Sequence, residues 1–280
     1  MTPAALLLGL FFLAPAVWAM FVSTTPMTLL GDTARSAEFV GLENYRRLLD
    51  DPDFFKYVRN TIVFTVGTAV IGATGGGLAT ALIIDRAQRQ GNRLAGIAFG
   101  AVVLAGICPP ALAGTIWGGI LDYRTGMLNA ALSFIGIGPV DFLGDHPMFS
   151  VILAGSWKNV ALAMIVFFGA LQTIPASIYE AARIDGASSW SRLRAITLPA
   201  MRQIAALVLL MTTIIATGSF VLNQILTGGG TSKQTETLAL YAYHVAFVDF
   251  EIGFGAALSV VILGLSGLFA VVYLRLANDR

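Results

Sequence analysis

Six stretches of this chain are nearly free of charge, and their length decides what it can fold into. Residues 1–31, 61–84, 94–121, 203–232 and 252–274 contain no Asp, Glu, Lys or Arg, and 146–179 contains only Lys158. A helix needs about 20 mostly apolar residues to cross about 30 Å of hydrocarbon, so each stretch is long enough for one crossing. Spans are expected at about 4–23, 61–84, 95–121, 149–171, 204–226 and 253–275. Backbone in lipid must satisfy its own hydrogen bonds, which leaves helices or closed barrels. Apolar runs without alternation exclude barrel strands. The expected fold class is therefore all-α: a polytopic membrane protein with six transmembrane helices, forming a single domain over 1–280.

Composition excludes several other functions. Hydrophobic residues make up 56% and charged residues 12% of the chain, with a mean hydropathy of +0.78. Soluble domains carry about 25% charged residues. A net charge of +1 offers no basic field to hold nucleic acid. Cys108 is the single cysteine, so neither an intrachain disulfide nor a cysteine-based metal site is expected. His146 and His244 stand far apart without a ligand cluster, and no metal site is expected there either. No triad or close carboxylate pair at membrane depth points to enzyme chemistry, and no Walker A string occurs, since Gly228-Gly229-Gly230 lacks the following Lys-Ser or Lys-Thr.

Local features refine the spans. The first lacks a basic segment ahead of its apolar run, so an uncleaved helix is expected rather than a signal peptide. Pro15, Pro109 and Pro110 should kink their helices. Gly75, Gly76 and Gly77 permit close helix approach or a hinge. Asp51-Pro52 reads as a helix start, and Phe54, Phe55 and Tyr57 read as headgroup-level anchors. An even number of spans puts both termini on one side. Cytoplasmic termini give nine basic residues inside, including Arg280, against seven outside, including Arg35, which favours N-in and C-in.

The segment 174–199, between the fourth and fifth spans, reads as two short helices around a break. Pro175 can start the first, and Ile178, Ala181, Ala182, Ile184 and Ala187 supply an apolar face of mostly small residues. Glu180 and Arg183 are three apart and can pair. Gly186 suits the turn, and Ser188 or Ser189 can cap a second helix carrying Trp190, Leu193 and Ile196. Such a pair must bury its apolar side, either on lipid or in the groove of a soluble partner.

The spacing Glu180-Ala181-Ala182, three residues, Gly186, nine residues, Ile196, one residue, Leu198-Pro199 resembles the EAA signature of bacterial ABC-importer permeases. Phe39-Val40-Gly41-Leu42-Glu43-Asn44-Tyr45, Leu226-Thr227-Gly228-Gly229-Gly230 and Thr235-Glu236-Thr237-Leu238 resemble the sugar-permease branch, of the maltose and glycerol-3-phosphate type. The resemblance runs from about residue 5 to 275. It implies an ABC type I importer permease fold whose coupling loop holds Glu180, Ala181, Ala182, Arg183, Asp185 and Gly186. It also implies an ATP-binding cassette subunit dimer, which holds ATP and Mg, so that this chain binds no cofactor and is not itself the enzyme. A second homologous permease and an extracytoplasmic solute-binding protein complete the implied assembly, in a bacterial or archaeal cytoplasmic membrane.

Five polar or aromatic residues are candidates for a substrate pathway. Lys158, flanked by Trp157 and Asn159, is the only formal charge inside a span, and it should face a cavity or a partner. Asn223 and Gln224 lie near the end of the fifth span and can bond hydroxyls or join helices. A phosphate cradle would use several basic groups, which tilts the expected cargo toward a neutral sugar and leaves glycerol-3-phosphate or another organic phosphate as the alternative. A stand-alone secondary transporter would call for intramembrane acids or inverted repeats, and neither is seen.

Overall fold

The computed structural model describes Leu7, residues 9–34 and residues 37–278. Residues 4–6 and Leu8 of the first expected span, together with Arg35 and Arg280, lie outside the described residues. The described chain is helical. Its only β feature is an isolated bridge between Thr28 and Ala34.

Three helices are long and apolar enough to cross a membrane unaided: α3 (Phe54–Arg89), α7 (Pro147–Gln172) and the part of α13 (Ile252–Asn278) that ends at Arg275. The third stretch is broken rather than straight. α4 (Leu94–Ile107) and α5 (Pro110–Leu121) meet at 109°. The bend falls at Cys108-Pro109-Pro110, where proline removes amide donors and disfavours helical geometry in the residue before it. The fifth stretch is also interrupted. α9 (Ser189–Ala200) turns by 67° into α10 (Arg202–Thr217), and Gly218-Ser219-Phe220 separates α10 from α11 (Val221–Thr227). α1 (Gly9–Val22) is a shorter apolar helix that packs on α13. The shorter elements are α2 (Glu43–Asp50), α6 (Met127–Phe134), α8 (Ala176–Ile184) and α12 (Leu238–Val248).

α3 organises the bundle. Its 36 residues reach about 54 Å at 1.5 Å per residue, and it contributes to all three apolar clusters. Ala81 and Ile84 pack with Phe167 and Leu171 of α7 at one end, Phe64 and Ala69 pack with Val151 and Ala154 in the middle, and Phe54 and Tyr57 pack under α12 and α13 at the other end. Val66–Gly75 is wound as a π-helix. Gly67, Gly72 and Gly77 recur every five residues, a spacing that drifts around an α-helix but stays near one face where the winding is wider. All three face α7: a Cβ would lie 2.8 Å from Ile152 at Gly67, 1.9 Å from the Ser156 hydroxyl at Gly72 and 2.4 Å from Ala163 at Gly77.

Several local expectations change. The helix after Asp51-Pro52 begins only at Phe54, because the Asp51 carboxylate is used otherwise: it accepts from the Asp53 amide at 2.8 Å and from the Tyr241 hydroxyl at 2.9 Å. Phe54 and Tyr57 are buried against α12 and α13 and do not face headgroups; Phe55 alone of the three is exposed. Of the glycine triplet, Gly77 and Gly76 approach α7 closely, whereas Gly75 meets only its own helix.

Candidate functional site

The loop 174–199 folds as two short helices joined by a tight turn. Pro175 sits at the N-cap of α8, as its missing amide allows. α8 then stops because Gly186 adopts φ +75°, a conformation that costs any residue with a Cβ about 1–2 kcal/mol. The Gly186 amide donates to the Arg183 carbonyl at 3.0 Å and the Ala187 amide to the Ala182 carbonyl at 2.9 Å, the paired closure of a Schellman turn. Ser188, rather than Ser189, caps the second helix: its hydroxyl accepts from the Ser191 amide at 3.2 Å. The Arg192 guanidinium donates back to the Ala187 carbonyl and the Ser189 hydroxyl, both at 3.1 Å. Tyr179 and Thr197 share a hydrogen bond of 2.9 Å that ties α8 to the far arm of the loop.

This bracing holds an apolar edge in the open. Ile184 is 87% and Trp190 68% exposed, and Ile178 is exposed too. Glu180, Ala181, Arg183, Asp185 and Gly186 are exposed and Ala182 is half-buried. The expected Glu180–Arg183 pair does not form among the described residues, which leaves the Glu180 carboxylate open to an outside donor. A cleft of about 850 Å³ opens between the loop and the end of α3, with Arg86, Arg89, Glu180, Arg183, Trp190 and Arg192 among its lining. Asp85 is engaged there by Arg89 at 2.8 Å and by Gln172 at 2.9 Å.

The pathway candidates separate into different surroundings. Trp157 sets its ring edge-on to Trp117 at 6.0 Å and lines the concave side of the α4–α5 bend. Lys158 and Asn159 are half-buried, and among the described residues neither is hydrogen-bonded to another of the candidates. Asn223 is fully buried, and both its side-chain polar atoms lack hydrogen-bond partners among the described residues. So does the Trp117 Nε1, which sequence reasoning missed because a lone tryptophan in an apolar run carries no pattern. Trp117 and Trp157 pack on the same apolar cluster as Leu222 and Leu226, which bracket Asn223 on α11. Gly114 lets α11 approach α5, since a Cβ there would lie 2.9 Å from Ile225. Gln224 points elsewhere: its Oε1 lies 2.8 Å from His244 Nε2, and His244 Nδ1 lies 3.0 Å from Glu236 Oε1.

A second missed set closes the opposite end from the loop. Gly228, Gly229 and Gly230 all take positive φ and turn the chain back over α3. Asn60 Nδ2 donates to the carbonyls of Lys233 and Glu236 at 3.1 and 3.0 Å, the Thr61 hydroxyl accepts the Leu238 amide at 2.8 Å, and Lys56 bonds the Ser232 carbonyl. Lys233 donates to the Tyr57 hydroxyl at 2.6 Å and to Asp53 at 3.1 Å. The Tyr57 hydroxyl first, and Asp53 next, hold the Lys233 ammonium above the ordinary lysine range. Burial, reinforced by the bond to Asp51, raises the Tyr241 hydroxyl. Arg47 pairs with Glu251 and lies 4.4 Å over the Phe254 ring, fastening α2 to the start of α13.

A family profile for the binding-protein-dependent transport system inner membrane component matches residues 77–278, which include the braced loop. This chain belongs to that family. It is 33% identical, over all of its length and 89% of the relative's, to the sulfoquinovosyl glycerol transport system permease protein SmoG of Agrobacterium fabrum. It is 32% identical over 86% of its length, and 81% of the relative's, to the trehalose/maltose transport system permease protein MalF of Thermococcus litoralis. The sn-glycerol-3-phosphate permease UgpA of Agrobacterium fabrum is 31% identical over 93% of this chain and 87% of its own. Among solved structures, a bacterial ABC transporter involved in import of the acidic polysaccharide alginate superposes with a TM-score of 0.74, covering 99% of this chain and 92% of that one at 20% identity. The all-α permease fold is thus shared with an ABC importer. The chain is an inner membrane permease component of a transport system that depends on a binding protein.

Proposed function

We propose that this chain is the permease subunit of an ATP-driven importer that takes up a sugar or a related polar solute. In this reading the solute-binding protein delivers cargo at the end closed by the 228–237 turn. An ATP-binding subunit dimer docks at Glu180–Gly186, with both termini of the chain on that cytoplasmic side. ATP and Mg belong to that dimer, and a second homologous permease completes the pathway. Trp157, Lys158, Asn159, Asn223 and Gln224 are the pathway candidates.

The observation that carries the reading is the loop itself. A Schellman closure, a serine cap and an arginine brace fix a helix–turn–helix whose apolar edge and unpaired Glu180 face outward. Coupling needs contacts that differ between two states, and a rigid element transmits a partner's displacement where a loose one absorbs it. Glu180 offers the partner a charge-assisted hydrogen bond, and Ala181 and Ala182 allow close approach.

The test is co-purification with the candidate ATP-binding subunit and second permease, followed by ATPase measurement. The wild type should form a complex whose ATPase responds to loaded binding protein, and Glu180→Arg and Gly186→Pro should each lose it. Uptake by the purified chain alone, with no such complex, would instead support a secondary transporter. Glycerol-3-phosphate or another organic phosphate is the second cargo reading: Lys158 suits an anion, although a phosphate is usually met by several basic groups.

A further inference from the structure

The cleft of about 850 Å³ between the loop and the end of α3 is built from two facing helix stripes. Ala176, Tyr179, Glu180 and Arg183 line it from α8. Leu82, Asp85, Arg86 and Arg89 line it from α3. Both sets follow the i, i+3, i+4, i+7 spacing of a single helix face. Leu171, at the end of α7, and Leu193, on α9, extend its apolar part.

The charges in this cleft do not balance. Four arginines, at 86, 89, 183 and 192, stand against Asp85 and Glu180, an excess of two positive charges. Asp85 is already engaged by Arg89 at 2.8 Å and by Gln172 at 2.9 Å. Arg192 is held by the Ala187 carbonyl and the Ser189 hydroxyl, both at 3.1 Å. Arg86 and Arg183 make no hydrogen bond or ion pair among the described residues. Two uncommitted guanidinium groups on one cleft suit the oxygens of a phosphate.

Depth decides what carries that phosphate. Arg86 lies two residues past the charge-free stretch 61–84, about 3 Å along the axis at 1.5 Å per residue. Leu82 is inside that stretch, and Leu171 is buried at the end of a helix long enough to span. The cleft therefore runs from the edge of the hydrocarbon to the headgroup layer, with an apolar floor and a basic rim. Trp190 stands exposed beside it, at the depth where tryptophan favours the membrane interface. A free phosphate would use the rim and leave the leucines wet, whereas a phospholipid satisfies both. A choline headgroup would bring a further cation among the arginines. We infer that this cleft binds an anionic phospholipid, with the phosphodiester at Arg86 and Arg183 and the upper acyl chain along Leu82, Leu171 and Leu193. Basic pockets at the ends of spanning helices hold such headgroups.

The lipid and a docked partner use different sides of the loop. Ile178, Ala181, Asp185 and Gly186 do not line the cleft, so they stay open when it is filled. The inference rests on the chain's place in a membrane and not on its cargo or its ATP-binding partner.

The experiment takes the full-length chain in detergent and follows lipid binding by native mass spectrometry. Palmitoyl-oleoyl phosphatidylglycerol is titrated against palmitoyl-oleoyl phosphatidylcholine, for the wild type, Arg86→Gln, Arg86→Lys and Arg124→Gln. Arg124→Gln removes an exposed arginine that lies outside the cleft. The wild type should hold phosphatidylglycerol more tightly than phosphatidylcholine. Arg86→Gln should weaken it about fivefold, the size expected for one basic contact, with part of the loss recovered in Arg86→Lys and none seen in Arg124→Gln. In parallel, a phosphatidylglycerol with a diazirine in its headgroup should label the wild type within 82–90 and 176–197. Equal binding of the two lipids would overturn the inference, and so would an equal loss in Arg124→Gln, which would spread the attraction over the whole surface. Displacement of the lipid by excess inorganic phosphate would make this a free-phosphate site instead. If Arg86→Gln loses its thermal transition and is not folded, the wild-type labelling decides: labels in both segments uphold the site, and labels elsewhere remove it. None of these readings needs an ATP-binding subunit, so a failure here leaves the importer reading standing.

Discussion

Gly186 shows how one residue type fixes the turn between two helices. Its φ of +75° is open to glycine and strained for alanine, while no atom lies within 4 Å of the place a Cβ would take. Gly186→Ala should therefore act through the backbone alone, costing about 1–2 kcal/mol in the loop. The expected outcome is a modest fall in thermal midpoint and a larger fall in binding-protein-stimulated ATPase. An unchanged ATPase would show that the turn does not set coupling. At the opposite end, Lys233→Met removes two hydrogen bonds at once, to Tyr57 and Asp53. It should speed amide exchange across 228–237 and leave the α8 turn unaffected, a contrast readable by hydrogen-exchange mass spectrometry.

Helix packing depends on matched small residues. Gly72 lies so close to Ser156 that a Cβ would meet its hydroxyl at 1.9 Å and its own Cβ at 2.3 Å. Gly72→Ala should destabilise by about 1–3 kcal/mol, as overpacking does. Adding Ser156→Gly removes both clashing atoms, so the double variant should recover at least about 1 kcal/mol, the size of coupling expected for residues in contact. Additive losses in the thermal midpoints would mean that α3 and α7 do not meet there. The sequence offered the glycine triplet at 75–77 as the contact, yet the glycines that matter most recur at 67, 72 and 77. That period becomes legible only once residues 66–75 are known to be π-wound. Likewise, the charge-free stretch 94–121 showed its length and the prolines at which it breaks, but the size of the bend, 109°, and the contact of α5 with α11 are visible only in the fold.

The whole molecule is tied by polar contacts at one end and carries an exposed, braced loop at the other. The closing contacts have a stated pH range. Lys233 and Tyr241 both have raised values in the folded chain. A raised value means that the stabilisation is fully present below the unfolded group's pKa, about 10 for both side chains, and is lost as pH rises through the folded value. Exchange protection over 228–243 should thus stay flat from pH 6 to 9, after correction for intrinsic exchange rates, and fall only above about 10. A fall near neutrality would assign the closure to another group.

Charge-free length alone determined the all-α membrane architecture, because in lipid a backbone of that length has no other way to satisfy its amides. The positions of Pro175, Gly186 and the serines at 188 and 189 were enough to place a helix–turn–helix loop, since caps and turns are local chemistry. What only the tertiary structure decided was which polar groups end up with partners. Gln224 is taken by His244, Tyr57 by Lys233 and Asp51 by Tyr241, each across more than fifteen residues of sequence. Asn223, next to Gln224 and chemically similar, is left without one. Neighbouring residues on a helix face different elements, so their bonding is set by what packs against each side and not by the order of the chain.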